Sequence, residues 1–205
     1  MPNPIFLKSA ASPKDFPPDV GREVAFVGRS NSGKSTALNL VTGVRNLARV
    51  SKTPGRTQLA NFFELAPERR LVDLPGYGFA RVTAATQERW RGMIEDYLTR
   101  RRSLVGLIVT IDIRRGITEL DAQLLDWLEP LELELGVLLT KADKLSRNAA
   151  RAQERQVGER LEGARVVRFS SLSRDGVEAA RGWLDAWLHA NDEHGTVPAR
   201  TDSGT

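Results

Sequence analysis

A glycine-rich segment, GRSNSGKST at residues 28–36, lies between an apolar run at 23–27 and a helical pattern that begins near residue 33. It has the spacing G-x-x-x-x-G-K-[ST], in which the chain turns tightly from a strand into a helix and successive backbone N–H groups point inward. The segment therefore predicts a strand–loop–helix unit whose loop binds phosphate groups at the positive end of the helix. A glycine-rich turn without a ligand is the alternative. The residues concerned are Gly28, Arg29, Ser30, Asn31, Ser32, Gly33, Lys34, Ser35 and Thr36.

Apolar runs of β-type residues alternate with helical patterns along the rest of the chain. The predicted strands lie near 23–27, 60–65, 69–73, 104–111, 135–139 and 165–169. The predicted helices lie near 33–43, 86–101, 119–129, 146–161 and 174–189. This order predicts an α/β fold of three layers, in which a mainly parallel six-stranded sheet carries helices on both faces. The second and third strands are joined by APE, which is too short for a crossover helix, so they are expected to form one antiparallel edge hairpin.

The 205 residues predict one domain at residues 21–189. Residues 1–20 are rich in proline and small polar residues and are expected to be a tail or a strap on the surface, while residues 190–205 have the composition of a disordered tail. No apolar run approaches the length of a membrane span and no secretory signal precedes the domain, so we expect no membrane insertion. The absence of cysteine fits a cytoplasmic protein.

Two motifs predict a site for a nucleoside triphosphate and Mg²⁺. Lys34 is expected to reach the β- and γ-phosphates, and the Ser35 hydroxyl to ligate Mg²⁺. In LVDLPGYG, the Asp73 carboxylate would hold Mg²⁺ through a water and the Gly76 N–H would sense the γ-phosphate; a bare turn is the alternative. This second motif comprises Asp73, Leu74, Pro75 and Gly76.

The segment VLLTKADKL indicates which base is bound, because it resembles the N/T-K-x-D signature of GTPases. A carboxylate at Asp143 can accept hydrogen bonds from guanine N1–H and the exocyclic amine, whereas adenine offers neither donor. The alternative is that Asp143 is only the N-cap of the following helix. The signature comprises Thr140, Lys141, Ala142 and Asp143, and a weaker match in RFSSLSRDG adds Ser170, Ser171 and Leu172, where the Ser171 N–H would meet guanine O6.

Taken in order, the phosphate loop, TPGRTQ, DLPGYG, TKAD and SSL resemble the EngB (YihA/YsxC) family of translation-factor-type P-loop GTPases over about residues 20–189. The resemblance implies the GTPase fold, hydrolysis of GTP to GDP and phosphate, and a monomeric switch in assembly of the large ribosomal subunit that also supports cell division and septation. It also implies a threonine that reaches Mg²⁺ only in the triphosphate state. Thr57 is the preferred candidate because it stands in P-G-x-T with Pro54, Gly55 and Arg56, and Thr53 is the alternative.

Two residues depart from the Ras-like pattern. Tyr77 stands where Ras-like proteins keep a water-orienting glutamine, so we expect slow intrinsic hydrolysis, unless Tyr77 only packs or shields the loop. Asn31 corresponds to an asparagine that ligates K⁺ in related GTPases, where the cation substitutes for an arginine finger. An asparagine tolerated for loop geometry is the alternative.

The basic residues are concentrated in residues 144–168, where seven stand against three acids. Arg147, Arg151 and Arg155 form one stripe on a predicted helix, which indicates nucleotide-dependent binding to ribosomal RNA or a solvated face. Trp183 and Trp187 are expected to be core anchors. Two other classes remain open: a P-loop kinase or ATPase, and a GTP-gated scaffold with little turnover and no RNA role.

Overall fold

The computed structural model describes residues 2–48, 59–78 and 84–190. The strands are β1 Ile5–Ala10, β2 Arg22–Gly28, β3 Ala60–Ala66, β4 Arg69–Asp73, β5 Leu104–Asp112, β6 Glu134–Thr140 and β7 Arg165–Arg168. The helices are α1 Lys34–Thr42, α2 Ala84–Arg100, α3 Glu119–Leu128, α4 Arg147–Arg160 and α5 Val177–His189. Residues 191–205 of the predicted C-terminal tail lie outside the described residues.

The strands form one sheet in the order β1-β3-β4-β2-β5-β6-β7. Strands β4, β2, β5, β6 and β7 are parallel neighbours, whereas β3 is antiparallel to both β1 and β4. The predicted three-layer α/β fold and its antiparallel hairpin are thus confirmed. Because parallel strands share a direction, their carboxyl ends meet at one edge of the sheet.

The sheet has seven strands, one more than predicted, because the N-terminal residues supply β1. Residues 2–20 contain several prolines, but none lies within Ile5–Ala10, so they bound this strand without interrupting it. Because strand β1 pairs with β3, the β3–β4 hairpin does not lie at the edge of the sheet, where the sequence predicted it.

A buried ionic cluster fastens the segment between β1 and β2 to the sheet. The Glu23 carboxylate is fully buried and accepts hydrogen bonds from Arg70, Arg101 and the Tyr97 hydroxyl. Arg101 also donates to the Pro17 carbonyl at 2.9 Å. Burial and the neighbouring carboxylate of Glu23 raise the pKa of Tyr97 well above its usual value.

Alternate residues of β2 supply two separate hydrophobic cores. Ala25 and Val27 face the core beneath α2, α3 and α4, whereas Val24 and Phe26 face the core beneath α1 and α5. Within the described residues, no helix has the length and apolar character that crossing a lipid bilayer requires.

The two tryptophans of α5 pack on the sheet, as predicted. Trp187 is 2 % exposed, and the Trp183 and Trp187 rings stack with centroids 6.1 Å apart. A Cβ at Gly106 would lie 2.6 Å from Trp187 Cε3, and one at Gly136 would lie 2.7 Å from Trp183 Cε3. Glycine at both positions therefore lets α5 approach β5 and β6 closely.

Candidate GTP-binding site

The predicted site residues that the structure describes converge at the carboxyl edge of the parallel strands. Gly28 ends β2, Asp73 ends β4 and Thr140 ends β6, so the phosphate loop, the D-x-x-G motif and the T-K-x-D motif are neighbours. The remaining predicted positions, Thr53, Pro54, Gly55, Arg56 and Thr57, lie outside the described residues.

The phosphate loop requires its glycines and an unusual backbone. A Cβ at Gly28 would lie 2.1 Å from Thr110 Oγ1, because the loop folds down onto β5, and the Ser32 hydroxyl is hydrogen-bonded to that oxygen at 2.6 Å. Gly33 has φ +95° and Asn31 has φ +64°. The left-handed region is tolerated by glycine and, better than by most residues, by asparagine. Helix α1 then begins at Lys34, so Ser35 and Thr36 lie in its first turn, where backbone N–H groups lack helical acceptors.

Lys34 and Asp73 meet at the inner side of the loop. The Lys34 Nζ donates to Asp73 Oδ1, and their side chains are 10 % and 4 % exposed. The pair combines an ammonium group that suits phosphate oxygens with a carboxylate that suits Mg²⁺. Sequence reasoning predicted both residues for this location.

The D-x-x-G motif is joined to the phosphate loop through backbone hydrogen bonds. The Tyr77 N–H donates to the Gly28 carbonyl at 3.2 Å, and the Ser30 N–H donates to the Tyr77 carbonyl at 2.8 Å. A Cβ at Gly76 would lie 3.3 Å from the Gly28 oxygen. Leu74 is fully buried in the core, so its side chain is not available to a ligand.

Tyr77 points away from the phosphate side of the loop. Its ring is 5 % exposed within the core, and its hydroxyl donates to Asp121 Oδ1 on α3. Burial, followed by the charge of Asp121, raises its pKa far above the usual value, so the phenol remains neutral. The same Asp121 also accepts from the Thr118 N–H at 2.9 Å in the capping box of α3. The structure therefore favours the packing role for Tyr77.

Lys141 connects the T-K-x-D motif to the phosphate loop. Its Nζ donates to the Asn31 carbonyl at 2.7 Å and to Asp112 Oδ2 at 2.8 Å, and the Thr140 hydroxyl donates to the Ser32 carbonyl. Arg114 binds the same Asp112 carboxylate at 2.9 and 2.7 Å. Hydrogen bonds from Arg114, and then from Lys141, hold the pKa of Asp112 well below its usual range.

Asp112 belongs to the candidate site through its hydrogen bond with Lys141, and it was not predicted from the sequence. Its signal was a carboxylate at the last position of an apolar strand, in the segment IVTIDIRRG, which no motif singled out. Only the fold brings it within reach of Lys141.

Asp143 is held by the loop that follows β7. The Ser170 hydroxyl donates to Asp143 Oδ1 at 2.8 Å, and this bond is the main reason that the pKa of Asp143 lies below its usual value. Ser170 Oγ in turn accepts from the Leu172 N–H at 3.1 Å. The N-cap of α4 is Ser146, whose hydroxyl accepts from the Ala149 N–H. The interpretation of Asp143 as only an N-cap is therefore wrong.

Three further predicted positions surround Asp143. Ala142 packs partly against the core, and its N–H donates to the Phe169 carbonyl at 3.1 Å. Ser171 is exposed, and Leu172 is 80 % exposed although it is apolar. An apolar side chain this exposed beside Asp143 is available to contact a flat ligand.

The predicted basic stripe lies on the surface of α4. Arg147, Arg151 and Arg155 are all exposed, and Arg155 lies 3.8 Å from Glu159. Across the described part of the chain, Arg147 and Arg151 make no ion pair with a carboxylate. The guanidinium groups of Arg147 and Arg151 are thus accessible to an anion.

The chain is similar to known proteins in both sequence and fold. The model of the family described as "50S ribosome-binding GTPase" matches residues 23–141. A "Probable GTP-binding protein EngB" of Coxiella burnetii (strain CbuG_Q212) is 46% identical over 192 residues, which covers 90% of this chain and 92% of the relative. The protein of the same name from Enterobacter sp. (strain 638) is 48% identical over 188 residues, covering 90% of each.

Solved structures agree on the fold. The crystal structure of a probable GTP-binding protein EngB superposes with a TM-score of 0.67 at 22% identity, covering 82% of this chain and 99% of that chain. Era in complex with MgGDPNP and nucleotides 1506–1542 of 16S ribosomal RNA superposes with a TM-score of 0.65 at 19% identity, covering 90% of this chain and 61% of that chain.

Proposed function

This chain belongs to the EngB family of GTP-binding proteins and is a GTPase, and from that premise we propose that it is a nucleotide-controlled switch in assembly of the large ribosomal subunit. One observation carries the nucleotide part of the proposal: Lys141, two positions before the candidate guanine ligand Asp143, donates to the Asn31 carbonyl of the phosphate loop, which also holds Lys34 beside Asp73. Base recognition and phosphate binding are thus parts of one connected site. Family membership excludes the alternative of a P-loop kinase or ATPase.

Guanine is selected by groups that surround Asp143. The ionised carboxylate accepts from guanine N1–H and the 2-amino group, and the Ser171 N–H donates to O6. The exposed Leu172 side chain and the aliphatic part of Lys141 cover the two faces of the base. Adenine lacks both donors and would leave the carboxylate unmatched, so we expect GDP to bind at least about a hundredfold more tightly than ADP. Isothermal titration with the two diphosphates tests this, and comparable affinities would contradict it.

The phosphates and Mg²⁺ bind at the inner side of the loop. Backbone N–H groups of residues 31–36 and Lys34 hold the phosphate oxygens. The Ser35 hydroxyl, the Thr57 hydroxyl and the Asp73 carboxylate, the last through a water, supply hard oxygen ligands of the kind that Mg²⁺ requires. When bound, Mg²⁺ neutralises the charge on the β- and γ-phosphates.

Hydrolysis transfers the γ-phosphoryl group to water, which breaks the bond to the β-phosphate oxygen and yields GDP and phosphate. Gly76 contacts the γ-phosphate through its N–H, so loss of this phosphate releases the segment that follows. The Tyr77 hydroxyl is hydrogen-bonded to Asp121 and does not orient the attacking water, so the intrinsic rate of GTP hydrolysis is slow.

We propose that a monovalent cation bound at Asn31 supplies the positive charge that an arginine finger would otherwise provide. The Asn31 side chain is exposed at the tip of the loop, where K⁺ bound to it could neutralise charge that develops between the β- and γ-phosphates. We expect GTPase rates to be higher in KCl than in NaCl, and Asn31→Ala to remove the difference. Equal rates in the two salts would show that Asn31 serves loop geometry alone.

The ribosomal partner is proposed from the family description and the basic surface. The matching family is described as ribosome-binding, and Arg147 and Arg151 are free to bind phosphates of RNA. The same proposal places the protein in the cytoplasm as a monomer, with an effect on cell division and septation. Co-sedimentation with large ribosomal subunits in GDP and in a non-hydrolysable GTP analogue tests it. Binding that is absent or independent of nucleotide would contradict the switch.

A scaffold with little turnover is the second candidate, because Tyr77 supplies no catalytic group. The two functions differ in turnover number with and without large subunits. Stimulation by the subunits favours the assembly switch, whereas a low and unchanged rate favours the scaffold.

A further inference from the structure

A cavity of about 390 Å³ lies beside the phosphate loop, between residues 29–32, the segment after β5 and the start of α3. Neither Lys34 nor Asp73, which mark the side for Mg²⁺ and the nucleotide phosphates, is among the residues that line it. The cavity therefore adjoins the proposed nucleotide site, with which it shares residues 29–32 and Lys141, and it extends to Arg115, which lies outside the predicted nucleotide-binding motifs.

The charged residues of the cavity are mostly cationic. They are Arg29, Arg114, Arg115, Lys141, Asp112 and Asp121. Both carboxylates already have partners, since Asp112 binds Arg114 and Lys141, and Asp121 accepts from Thr118 and Tyr77. Within residues 2–48, 59–78 and 84–190, no carboxylate pairs with Arg29 or Arg115. Two guanidinium groups thus remain without a counter-charge in a concave site.

Glycine at position 78 leaves room for the Arg29 side chain beside the cavity. Gly78 has φ +74°, and a Cβ there would lie 3.0 Å from Leu120 Cδ1 and 3.3 Å from Arg29 Nε. The Arg29 side chain therefore lies directly against Gly78. Its planar guanidinium group matches two oxygens of a phosphate.

We propose that this cavity binds a phosphate group of an RNA backbone, with Arg29 and Arg115 as donors, separately from the phosphates of the guanine nucleotide. The choice of RNA rests on the ribosomal function proposed above and on the surface around the cavity. The cationic side chain of Arg147 is exposed and follows β6 at the same edge of the sheet, so a polyanion could continue across it. Asp121 in the cavity wall also holds Tyr77, so the bound RNA would lie next to the segment that contacts the γ-phosphate.

The experiment uses the full chain saturated with GDP and Mg²⁺, so that the nucleotide site is filled. Fluorescein-labelled decauridylate is titrated by anisotropy over a range of NaCl concentrations. The variant is Arg115→Gln, and the matched control is Arg102→Gln, which removes an exposed cation near the opposite edge of the sheet. We expect Arg115→Gln to weaken binding about tenfold and to reduce the slope of log K against log salt by about 0.7, as for one lost phosphate contact. The control should weaken binding by less than about twofold, since long-range charge is screened.

Four outcomes would overturn the proposal. If Arg115→Gln and Arg102→Gln weaken decauridylate binding equally, the binding depends only on net charge. If Arg115→Gln leaves the slope of log K against log salt unchanged, Arg115 makes no contact with a phosphate. Arg115-dependent binding of inorganic pyrophosphate without binding of decauridylate would assign the site to a free phosphate. A decaglutamate peptide that bound with the same Arg115 dependence would assign it to an acidic protein. If large subunits fail to co-sediment while decauridylate binding depends on Arg115, the ribosomal function fails and the RNA-phosphate site stands.

Discussion

Replacing Asp112 with asparagine should weaken the link between base recognition and phosphate binding. Asp112 is 7 % exposed at the end of β5, and its Oδ2 accepts from Lys141 Nζ at 2.8 Å. The same ammonium group donates to the Asn31 carbonyl at 2.7 Å. Asparagine has nearly the same shape as aspartate but lacks its charge, so Lys141 would lose the partner that directs it toward the phosphate loop.

The magnitude follows from the environment of the Asp112–Lys141 pair. A hydrogen bond to a charged group contributes about 1.5–3 kcal/mol when it is buried. The Lys141 side chain is 31 % exposed, so water replaces part of the lost interaction. We therefore expect a loss of about 1–2 kcal/mol in nucleotide binding, which corresponds to a GDP dissociation constant about 5- to 30-fold higher.

Fluorescent GDP titration measures this loss, with thermal unfolding as a parallel readout of stability. Asp126→Asn is the control, because Asp126 is exposed on α3 and makes no ion pair within the described part of the chain. The control should bind GDP within about twofold of the wild type, as exposed substitutions have small effects. If Asp112→Asn is folded and also binds within twofold, Lys141 is positioned by Asn31 alone and the reasoning is refuted. A lower Tm with an unchanged dissociation constant would contradict it equally, because Asp112 would then serve stability only.

Three further outcomes are expected. Tyr77→Phe removes the hydroxyl that binds Asp121, which should lower the free energy of unfolding by about 1–2 kcal/mol and the Tm by about 4 °C. The GTPase rate should be unchanged, and a large fall in that rate would show that Tyr77 takes part in catalysis. Glu23→Gln leaves Arg70 and Arg101 facing a neutral side chain and should cost about 3 kcal/mol in denaturant unfolding, with GDP affinity retained in the folded protein. Because the hydrogen bond from Ser170 lowers the pKa of Asp143, its carboxylate stays ionised at every pH above the ordinary aspartate range, so the ratio of GDP to ADP affinity should be constant from about pH 5 to 8. The ratio is measured because both diphosphates carry a terminal phosphate that takes up a proton near about pH 6; a ratio that falls between about pH 7 and 5 would contradict this assignment.

Much of the fold could be predicted because its signals are local. The alternation of apolar runs and helical patterns indicated the parallel sheet and the helices, and it did so within a few residues of each boundary. The additional strand β1 was not predicted, because prolines on both sides of Ile5–Ala10 suggested an irregular segment. Pairing with β3, more than fifty residues later, is what makes that segment a strand.

In the candidate site, too, some features follow from local sequence and others from the fold. The phosphate loop, Asp73 and Asp143 could be predicted from local patterns, because each of these motifs is a short spacing of residue types that sets a local backbone. Two contacts could not be predicted in this way: Lys141 joins Asn31, 110 positions earlier, to Asp112, 29 positions earlier, and Tyr77 turns toward Asp121 on α3. Such hydrogen bonds form only where the folded sheet brings the carboxyl ends of distant strands together, and no local pattern specifies which strands become neighbours.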